Sequence, residues 1–214
     1  GRWSAVGVTT EVTTRKDAER LQQAVYSISE AAHTTADPTE MHRSIYAALA
    51  GLLDAPWYMI LLTSPRDAAQ YDVAYWVMDH EEWLPRQIAV PRARSERVAR
   101  SGKTEYLTRE DTDRLVRSGE IELHGSPTGA WLGVPLYANG TLIGVASLLH
   151  PDENDPYSPH DIEVFEYVCQ QISLAIDRRR TQEALLTEQR LFAALMEHSP
   201  DTIYLKDLES RVLR

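Results

Sequence analysis

Two apolar runs, Trp131 to Ala138 and Thr141 to Leu149, are separated by nothing but Asn139-Gly140. Asn-Gly tolerates the positive φ angles that both central residues of a two-residue type I′ turn require, so this stretch is predicted to be a β-hairpin. Pairing Ala138 with Thr141 sets the register. One face then carries Leu132, Val134, Leu136, Ile143, Val145 and Ser147. The other collects Trp131, Gly133, Pro135 and Tyr137 with Leu142, Gly144, Ala146, Leu148 and His150, a mixture of small and large residues. Such a face could accept a ligand. Equally, Gly133, Gly144 and Ala146 could let a helix come close to the sheet.

The rest of the pattern supplies cover for that hairpin. Gly1 to Thr14 carries no period and reads as a leader or the tail of something upstream. From there Ala18, Leu21, Val25, Ile28 and Ala32 recur at helical spacing. Asp37-Pro38 then opens a second helix with Met41, Ile45, Leu49 and Leu52 on its buried side, stopped by Gly51 and Asp54-Ala55-Pro56. The period shortens towards two over Trp57 to Thr63 and Tyr71 to Met78, which read as strands about a turn at Ser64 to Asp67, with a weaker strand over Arg86 to Val90. Short polar helices are predicted over Arg94 to Arg100 and Thr108 to Arg117, the second opened by a Thr108/Asp111 capping box. Ser158-Pro159 starts a last long helix, with Ile162, Phe165, Val168, Cys169, Ile172, Ala175 and Ile176 as its buried stripe. Its pattern continues to about His198, where Leu185, Phe192 and Leu195 approximate a heptad seam; Thr202 to Lys206 looks like a new strand.

Composition removes several function classes. With 22 basic against 32 acidic residues the net charge of the 214-residue chain is −10, which argues against a nucleic-acid or anionic-membrane binder. The longest apolar runs, Tyr58 to Leu62 and Leu142 to Leu149, fall well short of the roughly 20 residues of a membrane-spanning helix. No export signal opens the chain, so a cytoplasmic setting is expected. A single cysteine, Cys169, excludes an internal disulfide, a Cys-x-x-Cys zinc site and a two-cysteine redox couple.

Over roughly residues 18 to 180 this order of elements resembles the GAF domain, a small-molecule sensor module of bacterial signalling proteins. The resemblance is carried by the hairpin sequences Trp131 to Leu136 and Leu142 to Val145 and by the helix start after Tyr157-Ser-Pro-His-Asp161. Phe192 and the run Ser199 to Asp207 are similar to the start of a PAS domain. The resemblance implies an α+β fold: an antiparallel sheet with the terminal helices on one face and a ligand pocket on the other, beneath a helical insertion. It also implies a division into a leader (1–14), a GAF-like sensor (15–180), a coiled-coil-like signalling helix (181–198) and a truncated PAS-like start (199–214). Cyclic-nucleotide relatives carry an Asn-Lys…Phe…Asp-Glu signature of which only fragments survive around His150, Tyr157 and Asp161. Pigment-binding relatives hold a bilin through a cysteine in the insertion or upstream, whereas Cys169 lies on the last helix. The GAF-fold methionine sulfoxide reductases need more than one cysteine.

The candidate ligand-binding residues are Trp131, Gly133, Leu148 and His150 from the hairpin face, with Arg94, Arg97 and Arg100 from the insertion. The arginines belong to a basic group that also includes Arg86, Arg92 and Lys103; they could meet an anionic ligand or form a solvated helix face. His150 could equally be a solvated turn residue beside Pro151. The seven histidines share no metal-ligand spacing, and Glu197-His198-Ser199-Pro200 reads as a helix end rather than a phosphoacceptor box. No metal site or catalytic constellation is expected, and the sequence names no cofactor. The expectation is therefore a non-catalytic sensor with an unidentified small-molecule ligand, coupled through its last helix to an output such as a histidine kinase of a two-component system or a cyclic-dinucleotide enzyme. The alternative is a ligand-free dimerisation and spacer module. Either is expected to be a homodimer through the terminal helices, because Leu185, Leu186, Phe192 and Leu195 lie beyond the sheet.

Overall fold

The computed structural model describes residues 6–34, 37–64, 71–78, 81–83, 86–88, 93–123, 129–151, 156–198, 205–206 and 212–213. Its backbone divides into two units, 1–176 and 177–214.

The first unit is built on an antiparallel sheet. β1 (Trp57–Thr63) lies between β2 (Tyr71–Met78) and β7 (Thr141–His150); β6 (Ala130–Ala138) follows β7, and β5 (Glu105–Thr108) follows β6. Short β3 (Glu81–Trp83) and β4 (Arg86–Ile88) both pair with β2. One face is covered by α1 (Val6–Thr34), α2 (Pro38–Ala50) and the first half of α5 (Pro159–His198). Ile28, Met41, Ile45, Leu49, Phe165, Val168 and Ile172 pack there against Tyr58, Ile60, Tyr75, Leu132, Val134 and Leu148. The α+β class expected from the sequence, an antiparallel sheet with the terminal helices on one face, is the one observed.

The local signals that set these elements are visible. The Asp37 side chain accepts from the Thr39 N–H with Pro38 following, and α2 ends at Gly51. Thr108 and Asp111 form a reciprocal capping box at α4 (Arg109–Arg117), where the Thr108 hydroxyl holds the Asp111 carboxyl below its usual range. Asn139 and Gly140 adopt φ of 49° and 76°, as a type I′ turn demands.

Four readings change. α1 begins at Val6, so residues 6–14 are helical although they carry no helical period; threonines and valines there lower helix propensity without forbidding it. β5 is an added strand that forms between the two short predicted helices and takes in Thr108, because Tyr106 and Leu107 find Leu132 and Trp131 as cross-strand partners. β3 is an added strand, paired through Trp76 and Trp83. The fourth change is the register of the hairpin. Tyr137 pairs with Leu142 but Leu136 pairs with Gly144, leaving Ile143 as the extra residue of a bulge. Beyond it every β7 side chain changes face: Leu132 is opposite Leu148, and Trp131 opposite Leu149. A second irregularity, with Ile60 opposite Tyr75 and Leu61 opposite Val73, does the same to β2.

The second unit contains the end of α5, which is continuous from Pro159 to His198, and the pair β8 (Leu205–Lys206) with β9 (Val212–Leu213). Leu185, Leu186, Leu191, Phe192 and Met196 are exposed along its helix. The expected strand over Thr202 to Lys206 is observed only at its end; residues 202–204 lie outside the described residues.

Candidate functional site

The sheet face opposite the terminal helices carries Trp131 and Gly133 of β6 with Val145 and Leu149 of β7, and it is overlain by α3 (Arg94–Ser101) and α4. Trp131 is only 2% exposed. Its indole packs with Val98, Leu107, Leu115, Ile121 and Val145 in a second core. Gly133 is the bed on which it lies: a Cβ there would fall 2.1 Å from the indole. Beside this cluster Leu61, Tyr71 and Val73 form a third, smaller one.

Two cations stand on this face. The Arg94 guanidinium lies 5.3 Å from the Trp131 ring centroid, a cation–π contact, and burial pushes its pKa down to about 10. Arg97 donates through Nε to both carboxylate oxygens of Glu105, at 3.1 and 2.8 Å, and through a terminal nitrogen to Glu120 at 2.8 Å. The hydrogen bond it donates to Glu105 is the main reason its pKa is raised. That fork ties α3 to β5 and to the segment after α4. Arg100 is exposed.

A family model described as GAF domain matches residues 37–176. The chain belongs to the GAF domain family. Among solved structures, the GAF domain of an Acinetobacter phosphoenolpyruvate-protein phosphotransferase is 14% identical, with a TM-score of 0.56 over 77% of this chain and 94% of that one. The GAF-B domain of DevS from Mycobacterium smegmatis is 17% identical, with a TM-score of 0.51 over 70% and 99%. The free methionine-R-sulfoxide reductase from Neisseria meningitidis, solved with its substrate, is 14% identical, with a TM-score of 0.55 over 76% and 91%. At these identities the likeness is one of fold. A comparison with curated protein sequences gives no match. GAF domains are in general regulatory sensor modules that commonly bind small molecules, although the fold also serves enzymes such as the reductase.

On this GAF sheet the seven candidate residues do not form one group. Trp131, Gly133 and Arg94 come together beneath α3, with Arg97 alongside in its carboxylate fork. Leu148 and His150 are on the opposite face, because the bulge at Ile143 reverses β7. Leu148 is part of the main core. The His150 ring stands 6.1 Å edge-on from Tyr157, with Nε2 3.3 Å from an Asp54 carboxylate oxygen. The space read between small and large residues is also taken: by the indole at Gly133, and by the Leu61 carbonyl, 2.2 Å from where a Cβ of Gly144 would sit. Ala146 belongs to the helix-side core.

Sequence reasoning missed Glu105 and Glu120 as partners of Arg97. The acid of a four-residue strand gives no periodic signal, but Glu105 just after the Gly102 stop of α3 is the place where an arginine of that helix can be met. Cys169 is buried on the helix side, where burial pushes its thiol pKa well up, so it is no nucleophile. Among the described residues no group of three His, Cys, Asp or Glu is arranged to hold a metal ion, and no helix is long and apolar enough to cross a membrane. Arg86, Arg92, His33, His80, His124 and His198 lie outside the residues whose side chains are described.

Proposed function

We propose that this GAF domain is the sensory part of a longer cytoplasmic signalling protein. It binds an anionic small molecule against the face beneath α3 and passes a conformational change through α5 to an output domain, a histidine kinase of a two-component system or a cyclic-dinucleotide enzyme. Residues 199–214 would open a PAS domain on that route. The observation that carries this reading is Arg94: a largely buried cation held over an indole in a domain of net charge −10, at the face where the family resemblance puts a ligand. The module itself carries no chemistry in this reading. Arg97, already forked to Glu105 and Glu120, shapes the wall.

Native mass spectrometry and thermal-shift measurements with a panel of anionic metabolites test it. At least one compound is expected to bind, and Arg94→Ala should weaken it by about 1.5–3 kcal/mol, the scale of a hydrogen bond to a charged group. Stabilisation by none of them would sink this reading in favour of a second one. In that alternative the face is packed shut by Trp131 and its cluster, and the domain serves only as a dimerising spacer.

Both readings include a parallel homodimer through the terminal helices. Leu185, Leu186 and Phe192 are exposed on the part of α5 that belongs to the second unit, and Leu185, Glu188, Phe192 and Leu195 follow heptad spacing. Thr181 and Glu188 at the seam would keep the pairing weak enough to shift. Sedimentation of the full chain is expected to show a dimer at high micromolar concentration that is lost in a version ending at Arg180. A monomer in both rejects the dimer, and a dimer in both moves the interface to the helices of the sheet domain.

A further inference from the structure

β5 pairs with β6 only from Ala130 to Gly133, while β6 continues to Ala138. Where that cover ends, a cleft of about 710 Å³ opens between β6, the link Gly102 to Thr104 that leaves α3, and α5; all of it lies within the first unit. The volume is that of a small-molecule site. Tyr137 bounds it by reaching from β6 to the link. Its hydroxyl would lie 2.6 Å from a Cβ at Gly102, which also holds a positive φ of 66°, so both the backbone and the contact call for glycine there.

The charges of this cleft point to the class of ligand. Lys103 stands on the link and Glu166 on α5, so the lining carries both signs, and among the described residues neither side chain is in an ion pair. The contrast is with Arg97, one turn away on α3, whose charge is met by two carboxylates. Gln170 and Thr104 add neutral donors and acceptors, and Leu174 is a half-exposed apolar surface beside them. An added peptide strand is disfavoured because Pro135 lies in the uncovered stretch of β6, a common device that blunts a sheet edge. The complement of a partly apolar cleft lined by one cation and one anion is a molecule carrying both charges.

We propose that this cleft is a second binding site, separate from the face beneath α3, for a small zwitterion: a free amino acid or a dipeptide, with its carboxylate at Lys103 and its ammonium at Glu166. Such a ligand ties the end of α3 to α5, so it bears on the two elements through which the domain would signal. This assignment is independent of any ligand at Arg94.

Amide spectra of the full chain, titrated with neutral amino acids and their dipeptides at millimolar concentration, test it. Saturable changes are expected around Lys103, Thr104 and Gln170 with at least one of these compounds. N-acetylated and carboxyl-amidated forms should lack the effect. Lys103→Ala, at an exposed position, and Glu166→Gln, at a half-buried one, should each weaken binding about tenfold, the loss of one charge-assisted contact. Arg178→Ala, which removes a positive charge elsewhere on α5, should not. Silence with every free amino acid and dipeptide overturns the proposal, as does equal binding of the blocked forms or unchanged affinity in both cleft variants. Response to dipeptides but not to amino acids keeps the site and selects the longer ligand.

Discussion

Replacing Trp131 with alanine is expected to cost about 3–5 kcal/mol of folding stability, the range for truncating a buried aromatic side chain. The indole is 2% exposed and touches residues from α3, β5, α4 and β7, so nothing nearby can collapse into the gap without moving several elements. A loss of that size is a large part of the roughly 5–15 kcal/mol that holds a typical domain together. The variant also removes the ring beneath Arg94, whose charge then stays largely buried without its cation–π partner. Urea unfolding measures the effect. A cost below about 1 kcal/mol would mean that the indole does not fill this side of the sheet, and would remove the main observation in favour of the spacer reading.

Gly144→Ala is expected to be as damaging through the opposite mechanism. The new Cβ would lie 2.2 Å from the Leu61 carbonyl oxygen and 3.1 Å from its carbon, both backbone atoms of the neighbouring strand. Side chains can rotate away from such a clash, but β1 can yield only by moving off β7. The cost is therefore expected at or above the top of the roughly 1–3 kcal/mol typical of overpacking. Gly51→Ala is the control: its φ is −77° and the nearest atom to a Cβ is 3.4 Å away, so a change within about 0.5 kcal/mol is expected. Equal urea midpoints for the two variants would show that β1 and β7 are not so closely apposed.

These two residues also show how far the sequence could be read. Trp131 and Gly133 were legible as members of one face because they are two apart on the same strand, before the turn. Gly144 was legible as unusual, but its neighbour Leu61 is more than 80 positions away in the chain, and no local pattern reports such a contact. Leu148 and His150 were assigned to the wrong face for a related reason. Period-two arithmetic holds only while pairing is continuous, and a single extra residue at Ile143 reverses everything beyond it.

By itself the sequence determined the helices, their caps, the hairpin turn and the GAF-like order of elements, since each of these depends on residues within a few positions of one another. Asp37, Thr108 and Asn139 act on their own backbone neighbourhood, and the apolar stripes of α2 and α5 repeat at helical spacing. Only the tertiary structure decided which side chains meet beneath α3. The Ile143 bulge lets Val145 pack on Trp131 and sends Leu148 into the helix-side core, and Glu105 captures Arg97 because β5 pairs beside Trp131. Those outcomes depend on the packing of strands distant in sequence, where the burial of a few large apolar side chains outweighs the regular alternation of any one strand.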